Sequence, residues 1–115
     1  MHEASVVEAL VGMLVGEVRE RGGGKVTSIK LVVGEATGYM AESLDFYLGQ
    51  LAKGTALEGA KLEMTYVKPL LRCTACGKDF ERRRFTFECP SCGGAGVMTA
   101  IGREFFVESI DLEQE

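Results

Sequence analysis

Four cysteines form two close pairs late in the chain, and their spacing predicts metal chemistry. Cys73 and Cys76, then Cys89 and Cys92, each stand in a C-x2-C-G sequence, and twelve residues separate the pairs. A gap of two residues lets both sulfurs of a pair face one point, so that two such turns offer four thiolates to one ion. Four thiolates suit tetrahedral zinc and leave no open position for water or substrate. The spacing therefore predicts a structural zinc site.

Other uses of these cysteines fit the pattern less well. Iron-thiolate electron carriers contain the same turns, so electron transfer stays open as an alternative function. Disulfides are typical of secreted proteins, whereas this chain begins Met1-His2-Glu3, with an acid in place of the basic start of a secretory signal. No apolar stretch approaches the roughly 20 residues of a membrane span. We therefore expect a cytoplasmic protein without a membrane partner.

The only histidine, His2, directly follows the first residue. A free α-amine, the His2 amide nitrogen and the imidazole can close two fused chelate rings on one ion, and the Glu3 amide can add a fourth nitrogen. Ni(II) and Cu(II) favour such a square plane of nitrogen donors, whereas zinc gains no comparable benefit. The alternative interpretation is a surface histidine at the start of a helix. The position of His2 thus indicates a candidate nickel or copper site.

A basic run between the cysteine pairs raises the question of nucleic-acid binding. Arg82, Arg83 and Arg84 lie among Phe80, Phe85 and Phe87, and a zinc ribbon could use such residues for phosphate contacts and base stacking. The net charge of -4 opposes non-specific attraction to phosphates. We therefore expect solvated arginines, phenylalanines that pack the module, and no nucleic-acid partner. With no second histidine and no paired carboxylates, an enzyme is not expected either.

The hydrophobic pattern predicts the elements that must position these residues. Apolar residues recur at helical spacing over 6–18 and 40–51, and the pattern alternates as in strands over 26–33, 62–66 and 104–110. Ser5 with Glu8 predicts a capping box at the first helix, and the run Gly22-Gly23-Gly24 predicts its end. The first two strands with the helix between them form a βαβ unit.

These elements predict an α+β fold. It comprises a small mixed three-stranded sheet with two helices, in the order α-β-α-β…β, plus an inserted zinc-ribbon module. We expect residues 1–69 and 101–115 to form a nickel-binding α/β domain and residues 70–100 to form a zinc-binding module with the two C-x2-C turns. The length of 115 residues suits one compact core with such an insert.

The chain resembles the HypA/HybF family, nickel metallochaperones that help to mature nickel-iron hydrogenases. The resemblance extends over essentially the full length. It rests on Met1-His2-Glu3 opening into a helix through Ser5 and Val6, on Val33-Gly34-Glu35 closing a strand, and on the two late C-x2-C turns.

The resemblance implies specific ligands and partners. Ni2+ would be the transferred cargo, bound through His2 with backbone nitrogens of Met1 and Glu3, while Zn2+ would be a structural cofactor held by the four cysteines. The implied partners are a hydrogenase large subunit and a GTPase accessory protein of nickel insertion, and we expect a monomer or weak homodimer. Relatives carry a further carboxylate near the second helix, where this chain has Ala41-Glu42. Glu42 is therefore a candidate auxiliary nickel ligand.

Overall fold

A computed structural model describes residues 2–82 and 86–114, with the backbone alone at His2. The chain order is α1 (His2–Glu20), β1 (Lys25–Gly34), a 3-10 turn (Glu35–Thr37), α2 (Ala41–Leu51), β2 (Lys61–Val67), β3 (Leu70–Cys73), β4 (Asp79–Glu81), β5 (Gly96–Met98) and β6 (Phe105–Glu113). No helix among the described residues is long and apolar enough to span a membrane.

The first helix has the buried stripe that its sequence predicts. Its buried apolar residues are spaced by three and four and include Val7, Leu10, Leu14 and Val18. The predicted glycine stop is confirmed, because the Gly23 N–H donates to the Val18 carbonyl at 2.8 Å. The start is earlier than the capping box predicts. The helix begins at His2, so Ser5 lies within its first turn and does not precede it.

Strand β1 is the centre of the first sheet, whose order is β2-β1-β6. Ile29, Leu31 and Val33 are fully buried along β1, as the alternating pattern predicts. Near its start, the Thr27 hydroxyl donates to the carbonyl of Asp111 at 3.4 Å. At its end, the Gly34 N–H donates to the carbonyl of Glu104 at 2.6 Å. Since the partner residue number falls from 111 to 104 as the number along β1 rises from 27 to 34, β1 and β6 are antiparallel.

The second sheet contains three short antiparallel strands in the order β4-β3-β5. Leu71 in the central strand lies opposite Phe80 on one side and Met98 on the other. Leu71, Phe80 and two of the cysteines form a small buried cluster with Met98 packed against it. The predicted α+β fold class, with two helices, a three-stranded sheet and a separate cysteine-bearing sheet, is therefore confirmed.

The chain forms two compact units. The first contains residues 1–31, 39–64 and 107–115, and within it α1 and α2 contact each other. The second contains residues 32–38 and 65–106, and so includes the cysteine sheet together with the 3-10 turn. In this second unit the Ala36 N–H donates to the Gly102 carbonyl at 2.8 Å. A side chain at Gly34 would overlap the Gly102 carbonyl group, so these two backbone segments pack directly on each other.

Candidate metal centres

Each cysteine pair forms a tight turn that ends at a glycine. The Gly77 N–H donates to the Cys73 carbonyl at 3.0 Å, and the Gly93 N–H donates to the Cys89 carbonyl at 2.8 Å. Both glycines have a left-handed backbone, with φ of 77° and 75°, which favours glycine because it has no Cβ. The C-x2-C-G sequences therefore fold as the spacing predicts.

The two turns bring the four sulfur atoms together. All four lie within 4.8 Å of one another, with 3.4 Å between the sulfurs of Cys73 and Cys92 and 3.7 Å between those of Cys76 and Cys89. Tetrahedral coordination with sulfurs about 2.3 Å from zinc would separate them by about 3.8 Å. These distances exceed the roughly 2.05 Å of a disulfide. The donor set therefore fits one tetrahedral, thiolate-binding metal ion.

Backbone N–H groups lower the pKa values of Cys73 and Cys89, the first cysteine of each turn. The N–H groups of Cys76 and Ala75 donate to the Cys73 sulfur and, with the neighbouring cysteine side chains and against the effect of burial, lower the pKa of Cys73 to about 6. Burial raises the pKa of Cys89, but the N–H groups of Ser91 and Cys92 together bring it below its ordinary value. The first cysteine of each turn is thus prepared to be a thiolate, the form that binds metal.

Cys92 responds in the opposite direction because of its sulfur neighbours. The Gly94 N–H lowers the pKa of Cys92, but the side chains of Cys73 and Cys76, together with burial, raise it to about 11. A thiolate at Cys73 disfavours a second negative charge close by. A divalent cation among the sulfurs would reverse this repulsion, since it stabilises every coordinating thiolate.

The glycine run after the last cysteine has a role that its sequence alone does not reveal. A Cβ at Gly94 would lie 2.9 Å from the Ala75 Cβ and 3.0 Å from the Cys73 sulfur, so Gly94 allows the backbone to approach the sulfur cluster. A Cβ at Gly96 would lie 2.5 Å from the Phe80 ring. The run Gly93-Gly94-Ala95-Gly96 was the available signal, but it indicates only a tight connection.

The N-terminal candidates lie at the first turn of α1. His2 is the first residue of the helix, and the Glu3 carboxylate accepts a hydrogen bond of 2.7 Å from the backbone N–H of Met40. Sequence reasoning considered only the backbone nitrogen of Glu3 and missed this side-chain contact, which joins residues 37 positions apart. Met1 and the His2 side chain lie outside the described part of the structure. Their predicted role as nickel ligands stays a prediction.

The hydrogen bond of Glu3 joins α1 to the start of α2. Met40 is the N-cap residue and has no side-chain cap of its own, while Glu42 is exposed in the first turn. Glu3 therefore contacts this helix end through the backbone N–H of Met40. Nothing in the described part of the structure tests Glu42 as a ligand, so its auxiliary role also stays a prediction.

The basic run between the cysteine pairs is only partly described. Phe80 is buried in the module core, as predicted, whereas Phe87 remains 46% exposed. The guanidinium carbon of Arg82 lies 4.7 Å from the centre of the Phe87 ring, within the range of a cation–π contact. Arg83, Arg84 and Phe85 lie outside the described residues.

Comparison with known proteins decides the family. A family model described as "Hydrogenase/urease nickel incorporation, metallochaperone, hypA" matches residues 1–112. The chain belongs to the HypA family. The family acts in hydrogenase maturation as nickel metallochaperones, and this HypA-family chain carries its four-cysteine site on the two turns described above.

Similar proteins match almost the full length of this HypA-family chain. Hydrogenase maturation factor HypA of Caldanaerobacter subterraneus subsp. tengcongensis is 48% identical over 114 residues, covering 98% of this chain and 100% of that protein. The HypA of Chlorobaculum tepidum is 42% identical over 113 residues, with the same coverage. The predicted family resemblance is therefore confirmed.

Two solved structures share the fold at low sequence identity. The solution structure of the nickel metallochaperone HypA from Helicobacter pylori has a TM-score of 0.66 at 19% identity and covers 98% of each chain. A second HypA solution structure has a TM-score of 0.72 at 20% identity, covering 100% of this chain and 98% of the other. At such identities the likeness supports the fold alone.

Proposed function

We propose that this protein binds Ni(II) at its N-terminus and delivers it for maturation of a nickel-iron hydrogenase. The proposed ligands are the α-amine of Met1, the amide nitrogen and imidazole of His2, and the amide nitrogen of Glu3. The observation that carries the proposal is the start of α1 at His2. The first four N–H groups of a helix have no acceptor within it. Ionising the amides of His2 and Glu3 therefore breaks no helical hydrogen bond.

The electrostatics of this helix end support nickel over zinc as the cargo. The N-terminus of a helix carries partial positive charge, which disfavours a cation held by neutral donors. Two ionised amides would supply compensating negative charge, and Ni(II) favours the square plane that they complete. The Glu3 carboxylate already accepts a hydrogen bond from the Met40 N–H. This supports the backbone nitrogen of Glu3, and not its carboxylate, as the proposed nickel ligand.

For the four cysteines we propose a structural zinc ion. The sulfur distances and the N–H donors around Cys73 and Cys89 support a filled tetrahedral thiolate site. When bound, zinc would supply structural cross-linking without an open position for chemistry. Iron in the same site is the alternative, and an iron-thiolate protein would be coloured whereas a zinc protein is colourless. Metal analysis of the purified protein distinguishes the two.

The remaining functional predictions are part of the same proposal. We propose a hydrogenase large subunit and a GTPase accessory protein as partners, in the cytoplasm, without catalysis by this chain itself. The division into a nickel-binding part, 1–69 with 101–115, and a zinc-binding part, 70–100, also stays a prediction.

A zinc-ribbon nucleic-acid binder is the alternative function. It requires salt-dependent oligonucleotide binding at low ionic strength, and absence of that binding removes it.

Calorimetric nickel titration of the zinc-loaded, untagged protein tests the proposal. His2→Ala and a variant with one residue added before Met1 should each lower nickel affinity by at least about 100-fold, or about 2.8 kcal/mol. The extension retains every side chain but moves the amine out of the chelate. Glu42→Gln removes the charge of the candidate auxiliary carboxylate and so tests whether Glu42 contributes to nickel binding. If His2→Ala binds nickel as tightly as its parent, the proposed ligand set is wrong.

A further inference from the structure

The strand β6 forms one edge of the first sheet. In the order β2-β1-β6 it pairs with β1 on one side, and no described strand lies on its other side. A strand edge presents backbone donors and acceptors that can pair with an additional strand. The C-terminal half of β6 is therefore a surface where a further strand could be added.

A groove accompanies this edge. It has a volume of about 450 Å³ and lies within the first compact unit. The described residues that line it come from α1, from the turn directly after α1 and from β6: Met13, Leu14, Glu17, Arg21, Val107, Ser109, Ile110 and Leu112. Because no described β1 residue contributes, we place the groove on the outer side of β6, beside the C-terminal half of α1.

The lining is mostly apolar and partly open. Met13 on α1 is 56% exposed, and three apolar residues of β6, Val107, Ile110 and Leu112, are half-buried. Glu108 and Ser109 are both exposed, so the alternation of β6 changes phase between Val107 and Ile110, which is typical of a β-bulge. A bulge interrupts regular pairing. An added strand would therefore pair beyond it, along the C-terminal half of β6.

The charges around the groove indicate which kind of segment can bind there. Strand β6 contains acidic residues and no lysine or arginine. Asp111 accepts a hydrogen bond from Ser28 of β1 at 2.5 Å, whereas Glu108 and Glu113 are exposed acids without that contact. Among the described lining residues one is basic, Arg21, and it forms an ion pair with Glu17 at 2.9 Å. A second copy of β6 would bring like charges together, while a basic segment would meet opposite charge.

We propose that the groove between α1 and the edge of β6 binds a short extended segment of a partner protein, with alternating apolar and basic residues. The apolar side chains enter the groove beside Met13, and the basic side chains face Glu113 in the paired half of β6 and Glu108 at the bulge where that half begins. Backbone pairing with β6 supplies affinity and the groove supplies specificity, as in other cases of strand addition. The lining of the groove includes none of the proposed nickel ligands, so this inference does not rest on nickel binding.

Peptide titration of the full zinc-loaded chain, followed by NMR, tests this inference. The probe is a capped peptide of about six alternating valine and lysine residues. Two matched peptides carry glutamate in place of lysine, or N-methyl groups that block backbone pairing. We expect saturable binding of the lysine peptide below about 1 mM, with shifts confined to α1 and β6, and at least about tenfold weaker binding of both matched peptides.

Variants of the chain locate the binding site. Ser109→Trp fills the groove and should weaken the lysine peptide by about tenfold or more, whereas Ser109→Ala should not. The double variant Glu108→Lys with Glu113→Lys should weaken it several-fold, and it tests the charge argument even where Ser109→Trp alters folding. Glu63→Lys on β2, the opposite edge, is the control and should leave affinity within about twofold.

Three outcomes would overturn the inference. The first is equal affinity, or no affinity, for the lysine and glutamate peptides. The second is binding that Glu63→Lys reduces as much as the β6 double variant. The third is self-association that sedimentation shows to depend on protein concentration and that Ser109→Trp abolishes, because a second copy would then be the occupant.

Discussion

The carboxylate of Glu3 in α1 accepts a hydrogen bond of 2.7 Å from the backbone N–H of Met40. Met40 is the N-cap residue of α2, and its own side chain makes no capping hydrogen bond. In a capping box, a side chain three residues into the same helix accepts from the N-cap N–H. Here that position is Ser43, and an acid from another helix accepts in its place. The contact fixes the start of α2 to the first turn of α1.

This contact predicts different effects of Glu3 on stability and on nickel. Glu3→Ala should lower the free energy of unfolding by about 1 kcal/mol, as expected for a lost cap, and Glu3→Gln by less because an acceptor remains. Nickel affinity should stay within about threefold of the parent for both, since the backbone nitrogen is unchanged. Thermal unfolding and calorimetry measure the two effects. A selective loss of nickel binding in Glu3→Gln would instead identify the carboxylate as a ligand.

Removal of the metal from the four cysteines should act on one unit only. Both helices belong to the first unit, while the second unit contains the cysteine sheet, whose buried cluster includes Cys73 and Cys89. We expect a strong chelator, or Cys73→Ser, to abolish the NMR dispersion of residues 70–100, because thiolate sites of this kind couple binding to folding. The helical circular dichroism at about 222 nm should largely remain. Loss of the helical circular dichroism together with the NMR dispersion would contradict this expectation.

Gly34 should be intolerant of a side chain for steric reasons. Its φ of -75° suits any residue, but a Cβ there would overlap the backbone of Gly102. Gly34→Ala should therefore lower stability by about 1–3 kcal/mol or more, as overpacking does. Gly12→Ala in α1 is the matched control, because a Cβ at Gly12 meets nothing within 4 Å. It should raise stability by about 0.5–1 kcal/mol, and equal effects of the two changes would refute the steric account.

Nickel affinity should depend steeply on pH. The proposed site releases two amide protons on binding, plus the amine proton below a pKa of about 7.7–8.0 and the imidazole proton below about 6.5. The apparent association constant should therefore fall as pH falls, by about 100-fold per pH unit above pH 8 and by about 1,000-fold per unit near pH 7. Calorimetry in several buffers also counts the released protons. A flat profile between about pH 8 and 5 would rule out this ligand set.

Local patterns made much of this fold predictable. The apolar stripe of α1, the alternation of β1 and the C-x2-C-G turns are each set by neighbouring residues, and each folds as expected. The contact of Glu3 with Met40 and the packing of Gly34 on Gly102 join residues far apart in the chain and leave no periodic signal. Strands β4 and β5 contain three residues each, too few for alternation to reveal them.

The two cysteines of each turn differ in exposure, since Cys73 and Cys89 are buried whereas Cys76 and Cys92 are exposed. The sulfur cluster therefore has an inner and an outer side. Oxidants and alkylating agents approaching from water would meet the second cysteine of each turn first. Chemical damage would then begin at the protein surface and remove two ligands while the other two remained embedded in the apolar cluster.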